Sequence, residues 1–385
     1  MRNFKQEEET LNARIQADFS DWQAHLLKAE LYYDLLYNND FDFEIFVGQD
    51  KLEDELERED GSTIIDDAIE KVRELNPDSI ELCLLQAKIG MFRGGMDSKE
   101  IKAFIDHALA KEPQNVDALL TLAKWYYYEE NDYDKAFDLC SKVQQIGPMN
   151  PVAYYLRTDL SVYIDMDKYT GEMEERDYQR LIQFKPTHMG PYYNRAVFFS
   201  CIPQYEDALA DVDRCIELDN GHYKESEPYI LRASINRELG NYDEALNDIA
   251  KAIEAIVNDS NALRCQICIE KGEIYDAMGD SVNAMNAFKE AVKYDQEYYA
   301  THYDMDKREA QALGDTEALE KYNRRISLAN GATPYDFYVA AIEKAEEKSL
   351  PAKEKEPAKN EGHYNKNERE DRPSFWSRLK SKFFG

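Results

Sequence analysis

The sequence predicts an all-α solenoid, a stack of antiparallel helix pairs. Three observations predict it. One run is read four times with small variations, over residues 119–148, 192–219, 229–254 and 268–295. The later copies start 37 and 39 residues apart, close to the mid-thirties period of one helix–turn–helix layer. The 12 prolines and 16 glycines of the 385 residues gather where the copies would turn.

Each recurring position has a packing role. Paired helices approach most closely where side chains are smallest. Ala123, Ala196, Ala233 and Gly272 supply that gap on first helices, and Ala136, Ala208, Ala245 and Ala284 on second helices. Two turns further along the second helices stand Val143, Cys215, Ala252 and Ala291, on the same face. Tyr126 and Tyr275 fill the space around first helices; Cys140, Val212, Ile249 and Phe288 do so on second helices. Gly240 and Gly279 fall between helices, where the chain reversal favours positive φ. Pro148 and Pro186 follow second helices, where a missing N–H costs little.

This pattern resembles the tetratricopeptide repeat, whose order of large residue, Leu-Gly, Tyr, Gly, Ala, Phe and Pro spans 34 residues. The copy at 268–295 matches at Gly272, Tyr275, Gly279, Ala284, Phe288 and Ala291, with Lys271 in the usual leucine place. Weaker copies flank the four. Residues 77–113 carry Leu85, Phe92, Ile105 and Ala108 in the expected roles. Residues 148–186 form a stretched copy with Tyr178 and Leu181, and residues 300–329 a last one with Gly314, Ala318 and Tyr322. Trp22 to Leu75 reads as a first repeat split by an insertion. The expected fold is therefore a tetratricopeptide-type superhelical solenoid of seven to eight repeats over residues 1–333.

Four segments depart from the repeat. Residues 38–61 are an acidic, partly apolar insertion, read as a loop carrying a short helix over 51–59. Residues 334–348 read as a closing helix, with Thr333 as cap, Pro334 at its first position and an apolar stripe of Tyr335, Tyr338, Val339 and Ile342. Residues 349–373 are charged and nearly free of apolar side chains, the composition of a disordered linker. Residues 374–385, SFWSRLKSKFFG, end the chain with a basic aromatic stripe. Phe375, Trp376, Leu379 and Phe383 share one helical face among Arg378, Lys380 and Lys382. A helix that short is marginal alone and folds on contact with something. Membrane surface, partner protein and the chain's own solenoid all stand open as that contact.

The net charge is −30. Nine basic and six acidic residues from 349 onward leave the preceding 348 residues at −33. A body that acidic repels phosphate backbones, so nucleic acid is not expected as a partner. No apolar run has signal-peptide or spanning length. Six scattered cysteines suit a reducing cytoplasm, with the tail offering peripheral contact at the inner membrane surface. Catalytic motifs are absent: no glycine-rich phosphate loop, no GxSxG, no HExxH. Cys265 and Cys268 form a CxxC that nothing completes to four zinc ligands. No enzyme activity, cofactor, metal or small-molecule substrate is expected.

Protein or peptide binding is expected instead. The resemblance implies that first helices line the concave surface. By register their inward residues include Lys124 and Tyr127, then Tyr193, Asn194 and Val197, then Glu270, Glu273 and Asp276. The last three share one helix face, which favours a basic or polar partner. One branch of the family clamps acidic chaperone tails with Lys, Asn and Arg on successive first helices. Asn194 matches its central asparagine, but Glu227 and Leu231 stand where Lys and Arg are required, so that ligand is rejected.

Overall fold

The computed structural model describes residues 3–37, 58–93, 95–165, 167–219, 226–256 and 260–329. All regular structure among them is helical. After α1 (Phe4–Ala17), sixteen helices form eight consecutive pairs. In the first unit, within residues 1–188, these are α2 (Trp22–Tyr37) with α3 (Arg58–Leu75), α4 (Ile80–Arg93) with α5 (Ser98–Lys111), α6 (Val116–Tyr128) with α7 (Tyr133–Ile146), and α8 (Pro151–Leu160) with α9 (Gly171–Phe184). In the second, from residue 189, they are α10 (Met189–Cys201) with α11 (Tyr205–Asp219), α12 (Glu227–Glu238) with α13 (Tyr242–Ala255), α14 (Asn261–Ala277) with α15 (Ser281–Tyr294), and α16 (Gln296–Leu313) with α17 (Thr316–Ala329). Within each unit, the second helix of one pair packs on the first helix of the next.

The repeated small residues lie where helices touch. Ala123, Ala196, Ala233, Gly272, Ala136, Ala208, Ala245 and Ala284 are all buried, as are Val143, Cys215, Ala252 and Ala291. Gly272 shows why its position excludes a side chain: an added Cβ would stand 2.3 Å from Cε1 of Phe288. Gly240 and Gly279 hold φ of +79° and +80° between paired helices, and Asn131 takes the same place before α7 with φ +54°. Asparagine is among the few residues that tolerate this conformation.

Helix starts are fixed by side chains that accept free backbone N–H groups. Asn3, Asn115, Asn150, Thr170, Ser260 and Asp295 each cap a helix, and Asp97 forms a capping box with Glu100. The Asn3 cap opens α1, which the sequence reading did not resolve; Phe4 and Leu11 lie buried against the first pair.

Buried and part-buried ion pairs tie first helices to second ones. Arg195 grips Asp211 through two bonds of 2.6 and 2.7 Å. Arg232 grips Asp248 at 2.9 and 2.7 Å, sixteen residues apart again. Arg157 meets Asp177 at 2.9 Å; here the spacing is longer because α8 ends early in a 3-10 turn, Ser161–Tyr163. The matching positions of α14 and α15 are Lys271 and Ala287, so that pair is held by Gly272 against Phe288 instead.

Residues 58–61, expected at the end of the acidic insertion, form the first turn of α3, which packs on α2. The rest of that insertion, residues 334–348, the linker 349–373 and the tail 374–385 lie outside the described residues, as do Phe375, Trp376, Arg378, Leu379, Lys380, Lys382 and Phe383.

Candidate functional site

Three successive first helices of the second unit, α12, α14 and α16, converge with α17 around a cavity of about 200 Å³. Its apolar floor is Ile230 and Ile269, both buried. Polar side chains make its walls: Gln266, Glu270 and Glu273 from α14, Arg237 from α12, His302 from α16, Lys321 and Tyr322 from α17. These residues meet because inner-face positions recur every three or four residues along each first helix.

The three carboxylates expected to form an acidic wall are each matched by a cation. Arg237 donates from Nε to Glu270 at 2.8 Å. Glu273 takes Lys321 at 3.1 Å, Arg325 at 3.7 Å and the Tyr303 hydroxyl at 2.7 Å. Asp276 takes Arg325 at 2.7 Å. Burial alone would push the Glu273 carboxyl up, but Arg325, Lys321 and Arg237 outweigh it, and Glu273 lies well below the usual carboxylate range. Arg325 is only 1% exposed, with its guanidinium carbon 3.7 Å from the centre of the Phe288 ring. These three carboxylates are therefore paired and braced by an arginine stacked into the core, while Glu238 of α12, which shares Arg237, and Asp306 of α16 add two further carboxylates to the wall.

The other expected contact residues are spread out. Tyr193 and Asn194 are half-buried on α10 and Val197 is buried there; none lines this cavity. Lys124 and Tyr127 sit on α6 in the first unit. Lys124 is buried, and Tyr127 interacts with Asp159 on α8; burial, then that carboxylate, pushes its hydroxyl far up. The structure thus gathers Glu270 and Glu273 into one cavity, adds Asp276 through their shared Arg325, and leaves the remaining five elsewhere.

Sequence reasoning missed Arg237, His302, Lys321 and Arg325. Arg237 was within reach: it lies one turn beyond the inner-face positions Ile230 and Ser234. Lys321 and Arg325 carry only an i, i+4 spacing on a second helix, which in the repeat pattern is not expected to line the first-helix face. Nothing local marks them as partners of Glu273, 48 and 52 residues earlier.

Among the described residues no group of three metal-binding side chains occurs, and no helix is long and apolar enough to cross a membrane. All six cysteines are free, and burial pushes the Cys265 and Cys268 thiols up to about 12 and about 11, so both stay protonated and unreactive at neutral pH.

A family model described as tetratricopeptide repeat matches residues 226–256 and 266–298, the stretches that build α12 to α15. The chain is 27% identical over 190 residues to the DnaJ homolog subfamily C member 7 homolog of Schizosaccharomyces pombe, covering 49% of this chain and 34% of that protein. It is 31% identical over 153 residues to the TPR repeat-containing protein YpiA of Bacillus subtilis, covering 40% and 34%. The chain thus spans about a third of the length of these curated relatives. Among solved structures, YrrB, described as a TPR protein with an unusual peptide-binding site, aligns at 16% identity with a TM-score of 0.40, over 50% of this chain and 93% of that one.

Proposed function

We propose that the chain, which matches the tetratricopeptide-repeat family over residues 226–256 and 266–298, is a non-catalytic interaction scaffold that seats an extended peptide or protein segment on its first-helix face. The seat is the groove formed by α12, α14 and α16. One observation carries this reading: the cavity there is open, polar-walled and already braced. A braced surface loses little freedom on binding, so more of the contact energy appears as affinity. The pairing of Glu270, Glu273 and Asp276 with Arg237, Lys321 and Arg325 also sets the ligand chemistry. A strongly basic segment would compete with those cations, and a strongly acidic one with those carboxylates. The groove suits a polar segment with a small apolar anchor over Ile269 and hydrogen bonds to Gln266, His302 and Tyr322.

The test is panning of a random dodecapeptide library on the full chain and on the variant Ile269→Asp/Tyr322→Ala. The reading expects peptides enriched on the parent that lose at least tenfold in affinity on the variant and also on Gln266→Ala/Tyr322→Ala, which keeps the buried Ile269 in place and should leave helical content unchanged. Enrichment of the same peptides on the parent and both variants would place binding elsewhere.

A second reading concerns the tail. The alternation of Phe375, Trp376, Leu379 and Phe383 with Arg378, Lys380 and Lys382 supports a membrane-surface tether. Co-sedimentation with vesicles containing anionic lipid should be lost when residues 374–385 are removed. Equal sedimentation of both proteins would remove the tether.

A further inference from the structure

The first unit carries a second surface, independent of the groove above. Aromatic rings from four successive pairs form a continuous strip. Tyr33 of α2 lies 6.5 Å from Phe92 of α4, and Phe92 lies edge-on to Tyr128 of α6 at 5.3 Å. Tyr128 neighbours Tyr127 at 4.8 Å, and Tyr127 neighbours Tyr163, in the turn after α8, at 6.2 Å. Tyr163 stacks on Tyr133 at 4.0 Å with only 14° between the planes. The strip starts in the core, where Tyr33 is 3% exposed, and reaches the surface at its far end: Tyr128 is 37% exposed and Tyr163 42%.

The charges beside it are lopsided. Three cations near it are committed to carboxylates: Arg93 to Asp66, Lys135 to Asp132, Lys168 to Asp134 and Asp138. By contrast, Glu129 and Glu130, which follow Tyr128 directly, make no ion pair among the described residues, and neither does Asp159 beside Tyr127. Tyr163 has one face covered by Tyr133, and Tyr128 packs against Phe92 and Tyr127, but both keep part of the ring exposed; an aromatic face carries negative quadrupole charge, and the flanking carboxylates add to it. Both features attract the same kind of group, a flat or compact cation that can rest on a ring.

We propose that this strip is a docking surface for an extended peptide segment bearing arginine side chains, whose guanidinium groups lie on Tyr128 and Tyr163 while Glu129, Glu130 and Asp159 balance their charge. Arginine suits the site better than lysine because its planar guanidinium stacks on aromatic faces and sheds water more easily. The strip, and not the paired carboxylates of the second unit, is then where the acidic character of the chain selects a basic partner.

The test uses the full chain and a fluorescein-labelled peptide alternating three arginines with serines, beside the same peptide with glutamates. Anisotropy is read at 0.15 M salt, where general attraction to a −30 chain is largely screened. The arginine peptide should bind and the glutamate peptide should not. Tyr128→Leu/Tyr163→Leu keeps apolar area but removes both tyrosine faces, and should weaken binding about tenfold. Glu129→Gln/Glu130→Gln should weaken it and flatten its salt dependence. Ile269→Asp/Tyr322→Ala, in the other unit, should leave it unchanged. Equal binding of the arginine peptide to the parent and the tyrosine double variant would overturn the proposal, since attraction would then come from net charge alone. So would loss of binding in the Ile269→Asp/Tyr322→Ala protein with the strip intact, or equal binding of the glutamate peptide. Circular dichroism of each variant, matched to the parent, guards against loss of fold; because Tyr128 and Tyr163 are surface residues, unchanged helicity is expected.

Discussion

Gly272→Ala isolates the closest helix contact in the second unit. In a solvent-exposed helix the change would stabilise by about 1 kcal/mol, because alanine has the higher helix propensity. Here the new Cβ would lie 2.3 Å from Cε1 of Phe288 and 2.6 Å from Cδ1 and Cζ. Carbon atoms settle at about 3.5–4.0 Å, so the overlap exceeds 1 Å. Phe288 has nowhere to withdraw. It is fully buried, with Tyr299 and Tyr303 at 6.4 and 6.2 Å and the Arg325 guanidinium over its face. Overpacking of this kind costs roughly 1–3 kcal/mol. Taking the upper end and subtracting the propensity gain leaves a net loss of about 2 kcal/mol. Because repeat arrays open locally, a global melt would dilute this effect. Native-state hydrogen exchange resolves it: amides of α14 and α15 should exchange about 30-fold faster, while those of α6 and α7 keep their parent rates. Adding Phe288→Leu should restore much of the loss. Unchanged or slower exchange in α14 and α15 would refute the contact geometry.

Three further outcomes follow from the same packing. Ala245→Leu forces a larger side chain between α12 and α13, and urea denaturation should show a loss of about 1–3 kcal/mol in that pair. Asp248→Ala removes the buried partner of Arg232, which keeps Asp213, and should cost about 2 kcal/mol, whereas Asp213→Ala removes only the half-exposed partner of the same arginine and should cost under about 1, as read by the same denaturation series. Glu174→Gln concerns pH. Burial, with Asp177 adding to it, raises the Glu174 carboxyl to about 8 despite bonds to Ser161 and Tyr178. Its unfolded value is near 4.3, so as pH climbs from there to about 8 the unfolded chain releases the proton first and stability falls, levelling above 8. The glutamine variant should lose that decline and gain on the parent at pH 8 relative to pH 5; parallel urea midpoints for the two proteins would contradict it.

The fold was legible because its determinants are local and repeated. Ala245, Ala284 and Gly279 each do one job at one spacing, and the spacing recurs. Helix α1 escaped because it belongs to no repeat; only the Asn3 cap and the buried pair Phe4 and Leu11 mark it. Half of the candidate site was legible in the same way. Glu270, Glu273 and Asp276 share a face by simple helical arithmetic. Their electrostatic meaning was not legible, since it depends on Arg325 and Lys321, brought in by the packing of α17. Helical periodicity predicts which residues share a face but not what stands opposite them. The aromatic strip illustrates the same limit: Tyr127 was singled out by register, whereas its continuity with Phe92 and Tyr163 exists only once four pairs are stacked.

The central claim is that the α12–α14–α16 groove is the seat of a peptide. Hydrogen–deuterium exchange of the full chain, with and without a peptide enriched by panning, tests it most directly. The account predicts added protection confined to α12, α14, α16 and α17, including the segments that carry Arg237, Glu270, His302 and Tyr322, and abolished by Ile269→Asp/Tyr322→Ala. Protection on second helices alone, or protection that survives that substitution, would contradict it.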